Sequence, residues 1–123
     1  MKQRIFVLDD EWDMTYLTKT LLNLKGFEVA YSNQPKEALK ILKNTTFDLL
    51  FVDLMMPSIS GFEIISAIRR NKIHDNMPII VLSAKRLSDL ERKEVLKYNA
   101  RFLRKPISPS RLFETVEDVL KNG

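Results

Sequence analysis

Short apolar runs that stop abruptly at polar residues constrain this chain more than any other feature. Ile5-Phe6-Val7-Leu8 ends at Asp9-Asp10, Leu49-Leu50-Phe51-Val52 at Asp53, and Ile79-Ile80-Val81-Leu82 at Ser83. Phe102-Leu103 is followed by Arg104, Lys105 and Pro106. Runs this short and this continuously apolar suit parallel strands covered on both faces. The pattern predicts strands near residues 3–8, 27–31, 47–53, 78–83 and 100–104.

Helix-period segments fill the gaps. Met14, Leu17, Leu21 and Leu24 repeat at helical spacing, with Gly26 as a stop. Pro35 suits a first helical turn, and Ala38, Ile41 and Leu42 form the stripe behind it. Ser60 is placed to cap a third helix that turns Ile64, Ile65 and Ile68 to the sheet. A fourth, from Leu87 to Tyr98, has a weak stripe of Leu87, Leu90 and Val95 and is expected to be the most loosely held. A fifth repeats Leu112, Phe113, Val116, Val119 and Leu120, with Ser108 or Ser110 as its cap. Five strands alternating with five helices imply a three-layer α/β/α sandwich. Right-handed crossovers put helices on both faces only if the strand order reverses, so a parallel sheet of order 2-1-3-4-5 is expected.

Strand C-termini in such a sheet converge on one edge, where these folds bind ligands. Three acids, a hydroxyl and an ammonium would meet there, which is the chemistry of a magnesium-dependent phosphoryl site. Close carboxylates repel unless a cation neutralises them. Mg2+ accepts oxygen ligands and binds through one or two carboxylates. Asp9-Asp10 alone fits a solvated turn equally well, with Glu11 and Asp13 as helix-start acids. Asp53 closes the most apolar run and is a candidate nucleophile for an aspartyl phosphate, or a plain turn residue. Ser83 and Lys105 can each hold a phosphoryl oxygen, or serve as a turn serine and a surface charge. A cis Lys105-Pro106 peptide would aim the lysine inward.

Composition excludes other chemistry. The 123 residues are right for one domain and contain no cysteine, so disulfides and thiolate sites are ruled out. No apolar run approaches the ~20 residues that span a bilayer, and Met1-Lys2-Gln3-Arg4 leads into the first strand without the long apolar region of a signal peptide. A cytoplasmic protein with no membrane role is expected. The net charge is +4, but the basic residues are scattered (Arg69-Arg70, Lys85-Arg86, Arg92-Lys93, Arg101, Arg104), as on solvated surface rather than a nucleic-acid face. His74, the only histidine, falls in an expected loop without a carboxylate motif, and Trp12 is read as partly packed.

Four segments, taken together, resemble the receiver domain of two-component response regulators. They are Val7-Leu8-Asp9-Asp10-Glu11, Asp53-Leu54-Met55-Met56-Pro57 with Gly61-Phe62-Glu63, Ile80-Val81-Leu82-Ser83-Ala84, and Phe102-Leu103-Arg104-Lys105-Pro106. The resemblance covers residues 1–123 as one receiver unit, either a single-domain, chemotaxis-regulator-like protein or part of a longer one. It implies a flavodoxin-like fold and a phosphoryl group carried by Asp53, received from a histidine kinase or phosphotransfer protein. It implies Mg2+ or Mn2+ on Asp10, Asp53 and the Met55 backbone carbonyl, with Asp9 acting mainly through water. Lys105 would pair with the phosphoryl group. Ser83 and Phe102 would switch a surface of helix 4, strand 5 and helix 5 toward an unknown target. Such a chain is a monomer or weak dimer, and no enzyme beyond chemistry on itself.

Two rivals are a receiver-like module that is never phosphorylated and a haloacid-dehalogenase-like phosphatase. The second places its nucleophile after strand 1, usually as Asp-x-Asp, whereas Asp9 and Asp10 are adjacent. Departures from the resembled pattern are Asn99-Ala100 for Gly-Ala, Phe102 where Tyr is frequent, and Met55 and Lys85 at positions that tune dephosphorylation. Met55 offers no group to orient water and Lys85 is placed to shield, so a long-lived phosphoaspartate is expected.

Overall fold

The apolar runs become the strands of one sheet. The structure is a computed structural model that describes residues 2–122. In chain order its elements are β1 (Arg4–Leu8), α1 (Trp12–Leu24), β2 (Glu28–Ser32), α2 (Pro35–Asn44), β3 (Leu49–Asp53) and α3 (Gly61–Arg70). A short 3-10 turn (Lys72–His74) follows, then β4 (Ile79–Ser83), α4 (Asp89–Lys97), β5 (Ala100–Arg104) and α5 (Pro109–Asn122). All four strand pairings are parallel, and the order is β2-β1-β3-β4-β5.

Alternation along the strands divides the core in two. Ile5, Val7, Leu49, Phe51, Ile80, Leu82 and Leu103 pack with Leu22 of α1 and with Leu112, Val116 and Val119 of α5. The intervening residues Phe6, Leu8, Leu50, Val52, Ile79 and Val81 pack with Ala38 and Leu42 of α2, Ile64, Ile65 and Ile68 of α3, and Val95 of α4. All five residues of β3 and all five of β4 are buried, which is why those runs have no polar alternation.

Local signals end the helices as the chemistry requires. Gly26 has φ +91° just after α1, and Asn99 has φ 55° before β5, conformations that Gly and Asn tolerate best. Ser60 accepts the Glu63 N–H. Ser88 and Glu91 form a reciprocal capping box on α4. At α5 the cap is Ser108, whose hydroxyl accepts the Arg111 N–H.

Three readings are corrected. The buried face of α1 is Thr15, Thr18 and Leu22, whereas Leu17 and Leu24 are 46% and 76% exposed. Those three positions keep helical spacing, but the threonines disguise it from a stripe drawn through leucines alone. Leu90 on α4 is 74% exposed, leaving Val95 and the preceding Leu87 as its anchors. His74 is buried within the 3-10 turn, where its Nε2–H donates to the Leu42 carbonyl.

Candidate functional site

Register brings the strand ends together. Leu8 pairs with Val52, Asp53 with Leu82, and Ser83 with Arg104. The Leu54 N–H reaches the Leu82 carbonyl at 2.8 Å, and the Lys105 N–H reaches the Ser83 carbonyl at 2.9 Å, so the ladder extends beyond the strands. Asp9, Asp53, Ser83 and Lys105 are all buried at this edge, and Asp10 is half-buried.

Gly61 lets the first turn of α3 approach the loop after Asp53. A Cβ there would lie 2.6 Å from the Asp53 carbonyl oxygen and 2.8 Å from the Leu54 Cα, both fixed backbone atoms. The motif contained this glycine, but sequence reasoning supplied no cause for it.

The three acids form one cluster. A carboxylate oxygen from each of Asp9, Asp10 and Asp53 lies within 4.8 Å of the others. Asp9 Oδ1 accepts the Glu11 N–H at 2.9 Å, and Asp53 Oδ1 accepts the Met55 N–H at 3.2 Å. Asp10 Oδ1 is buried without a hydrogen-bond partner among the described residues. A buried carboxylate oxygen left this way is costly, and an all-oxygen donor set suits a hard divalent cation. The residues therefore fit Mg2+ or Mn2+.

Lys105 lies among these acids. Its Nζ is 2.9 Å from Asp9 Oδ2, 2.8 Å from Glu11 Oε1 and 3.5 Å from Asp53 Oδ2. The Asp9 contact is an ion pair without hydrogen-bond geometry at Oδ2. The Lys105–Pro106 peptide is cis. Burial alone would lower the ammonium's pKa, but Asp9, Glu11 and Asp53 together raise it above its ordinary value. At Asp53 the balance is reversed. Burial first, then the Asp9 charge and to a smaller degree the Asp10 carboxyl, push its carboxyl up to about 7 against the pull of Lys105 and the Met55 N–H.

The remaining expected residues surround this cluster. Ser83 accepts the Lys85 N–H at its hydroxyl, 3.2 Å away. Phe102 is half-buried and packs on the α2/α3/α4 side of the sheet. Met55 is 57% exposed. The Lys85 amine pairs with Glu91 at 2.9 Å, beside the cap of α4. Trp12 is 54% exposed and stands edge-on to Tyr31 at 5.6 Å.

Sequence reasoning missed three participants. Glu11 was read as a helix-start acid but is the nearest partner of Lys105. Thr15 and Asn33 both bond the Asp9 carbonyl. Asn33 follows β2 as Asp9 follows β1, so the same strand-end rule would have found it.

Residues 5–117 match the response regulator receiver domain. The chain belongs to that family. It is 34% identical over 121 residues to the transcriptional regulatory protein CpxR homolog of Haemophilus influenzae, covering 98% of this chain and 51% of that one. It is 29% identical over 117 residues to the response regulator SaeR of Staphylococcus aureus, covering 94% and 50%. The receiver domain thus spans about half the length of the curated relatives it matches. Among solved structures it is similar to the chemotaxis protein CheY4 of Vibrio cholerae, with TM-score 0.90 and 27% identity over 97% of this chain and 99% of that one. The receiver domain of Francisella response regulator 1452 gives TM-score 0.86 and 29% identity, covering 98% of each chain. Receiver domains are signalling switches of two-component systems. No helix among the described residues is long and apolar enough to cross a membrane.

Proposed function

We propose that residues 1–123 act as one phosphoacceptor unit in the cytoplasm. Asp53 would receive a phosphoryl group from the phosphohistidine of a histidine kinase or phosphotransfer protein. The observation that carries this reading is the approach of Asp9, Asp10 and Asp53 oxygens to within 4.8 Å, with Lys105 paired into the same cluster.

In this reading Asp10, Asp53 and the Met55 carbonyl hold Mg2+ or Mn2+, and Asp9 reaches it mainly through water. The cation, when bound, offsets repulsion between the carboxylates and the incoming phosphoryl group. An Asp53 oxygen attacks phosphorus, and the histidine nitrogen leaves with the electron pair of the broken N–P bond. Lys105 then has a new anion to pair with and shifts from Glu11 and Asp9 toward it. Ser83 releases the Lys85 N–H and donates its hydroxyl to a phosphoryl oxygen. Phe102 moves inward, and the surface of α4, β5 and α5 changes for a downstream protein. Ordering a segment around a new phosphate is an established kind of switch.

The family assignment sets the dehalogenase-like phosphatase aside. No member of the acid and lysine set is replaced, which favours phosphorylation over a constitutive interaction module. The test is transfer from a radiolabelled, phosphorylated histidine-kinase domain. Label should pass to the chain with Mg2+ present and fail to pass to Asp53→Asn. Equal label on the variant would contradict the reading.

A further inference from the structure

Asp10 presents a buried oxygen with no hydrogen-bond partner among the described residues, and the peptide that leads into it is fixed from an unexpected direction. The carbonyl of Asp9, which begins the Asp9–Asp10 peptide, accepts the Asn33 Nδ2–H at 2.7 Å and faces the Thr15 hydroxyl at 3.2 Å. Asn33 spends its second Nδ2 hydrogen on Thr15 Oγ1 at 3.0 Å. Thr15 Oγ1 also lies 3.1 Å from the Glu11 carbonyl. The Asp9 N–H faces the Ser32 carbonyl at 3.4 Å. Polar contacts from α1 and from the segment between β2 and α2 thus hold the carbonyl of this peptide, and the end of β2 holds the peptide before it. Thr15 is 1% exposed, so its hydroxyl finds its partners within the protein.

The purpose of such a clamp follows from what it fixes. A peptide plane is rigid, so holding its carbonyl fixes where the next residue's N and Cα lie and leaves only that residue's own dihedrals to aim its side chain. Here the next residue is Asp10. Its direction matters because Mg2+ demands near-octahedral geometry and tolerates little misplacement of an oxygen ligand. Groups that orient metal ligands without touching the metal typically affect affinity about 10- to 100-fold.

We infer that Asn33 and Thr15 are positioning residues for the cation site, acting through the Asp9–Asp10 peptide. This inference rests on the metal-binding reading above and adds two residues that make no contact with the cation. Unlike Asp9, Asp10 and Asp53, they carry no charge, so their removal leaves the site's net charge unchanged.

The test counts free Mn2+ by electron paramagnetic resonance during titration of the intact chain, with thermal melts of each variant in chelator. Asn33→Ala should weaken Mn2+ binding about tenfold. Thr15→Val, which keeps the shape and removes the hydroxyl, should weaken it several-fold, and Thr15→Ser should restore it. A structural role alone would lower the melting temperature in chelator and leave affinity unchanged, and that result would overturn the inference. Wild-type binding with both variants within twofold would also overturn it while sparing the metal reading. Failure of the wild type to bind Mn2+ would overturn both, and the two failures are distinguishable.

Discussion

At Asp53, burial and neighbouring charge act on one carboxyl with opposite signs. Desolvation and the Asp9 charge win, raising it to about 7. An acid whose folded pKa lies above its unfolded value contributes stability below the unfolded pKa, and that stability is lost as pH rises through the folded one. The metal-free protein should therefore lose stability between about pH 4 and pH 7. Asp53→Asn, melted in chelator, should exceed wild type by up to about 4 kcal/mol at pH 8, with the gap closing toward pH 4. A constant gap across that range would contradict the assignment. Lys105 does not confuse the window, because its raised pKa affects stability only in strongly alkaline solution. A second expectation concerns the phosphorylated form. Met55 still offers no water-orienting group, so the phosphoaspartate should persist for minutes, and loss within seconds would contradict this. Because Lys85 is paired with Glu91, Lys85→Ala should change that lifetime little. The acids and lysine were legible because each follows an apolar run. The Lys105–Glu11 pair was not, since nothing in a sequence shows that residues 94 apart share an ion pair.

Among the elements, α1 separates what pattern reading captures from what it loses. Its existence and its end at Gly26 follow from periodicity and a left-handed stop, but its orientation does not. Leucines lie on both sides of α1, and burial selects Thr15, Thr18 and Leu22. Leu22→Ala should cost about 3 kcal/mol, the range for a leucine removed from a core. Leu24→Lys should change stability by less than about 0.5 kcal/mol, as exposed substitutions do. Thermal and denaturant melts of the two variants decide between the faces, and a larger loss at Leu24 would reverse the assignment. Arg69 teaches the same lesson for charge. It was grouped with scattered surface cations, yet its guanidinium bonds the carbonyls of Tyr98 at 3.0 Å, His74 at 2.8 Å and Met77 at 2.6 Å. Those contacts tie α3 to the segment before β4 and to the C-terminal end of α4. This restrains a helix that few apolar contacts hold, since Leu90 faces solvent. Carbonyl partners leave no trace in sequence, because every residue carries one.

In the whole molecule, one sheet serves two cores and one site. Alternate residues of β1, β3 and β4 supply both apolar faces, and the same strands deliver their polar ends to a common edge. A reversal in strand order was legible because parallel strands need crossovers of fixed hand and two faces to cover, and 2-1-3-4-5, favoured among the reversing orders, is the order found. The partner was not legible, because a surface records chemistry without naming what reads it. The basic residues do not gather into one signal: Arg101 pairs with Asp118 at 2.7 Å, and Lys85 with Glu91. Phosphorylation of Asp53 at this edge, aided by a cation, would be read straight from the intact mass. Wild type and Asp53→Asn would be incubated with a small phosphodonor and Mg2+, each with and without chelator. One phosphoryl adduct on wild type, absent from Asp53→Asn and absent in chelator, is the predicted result. No adduct on wild type under any condition, or an equal adduct on Asp53→Asn, would contradict it.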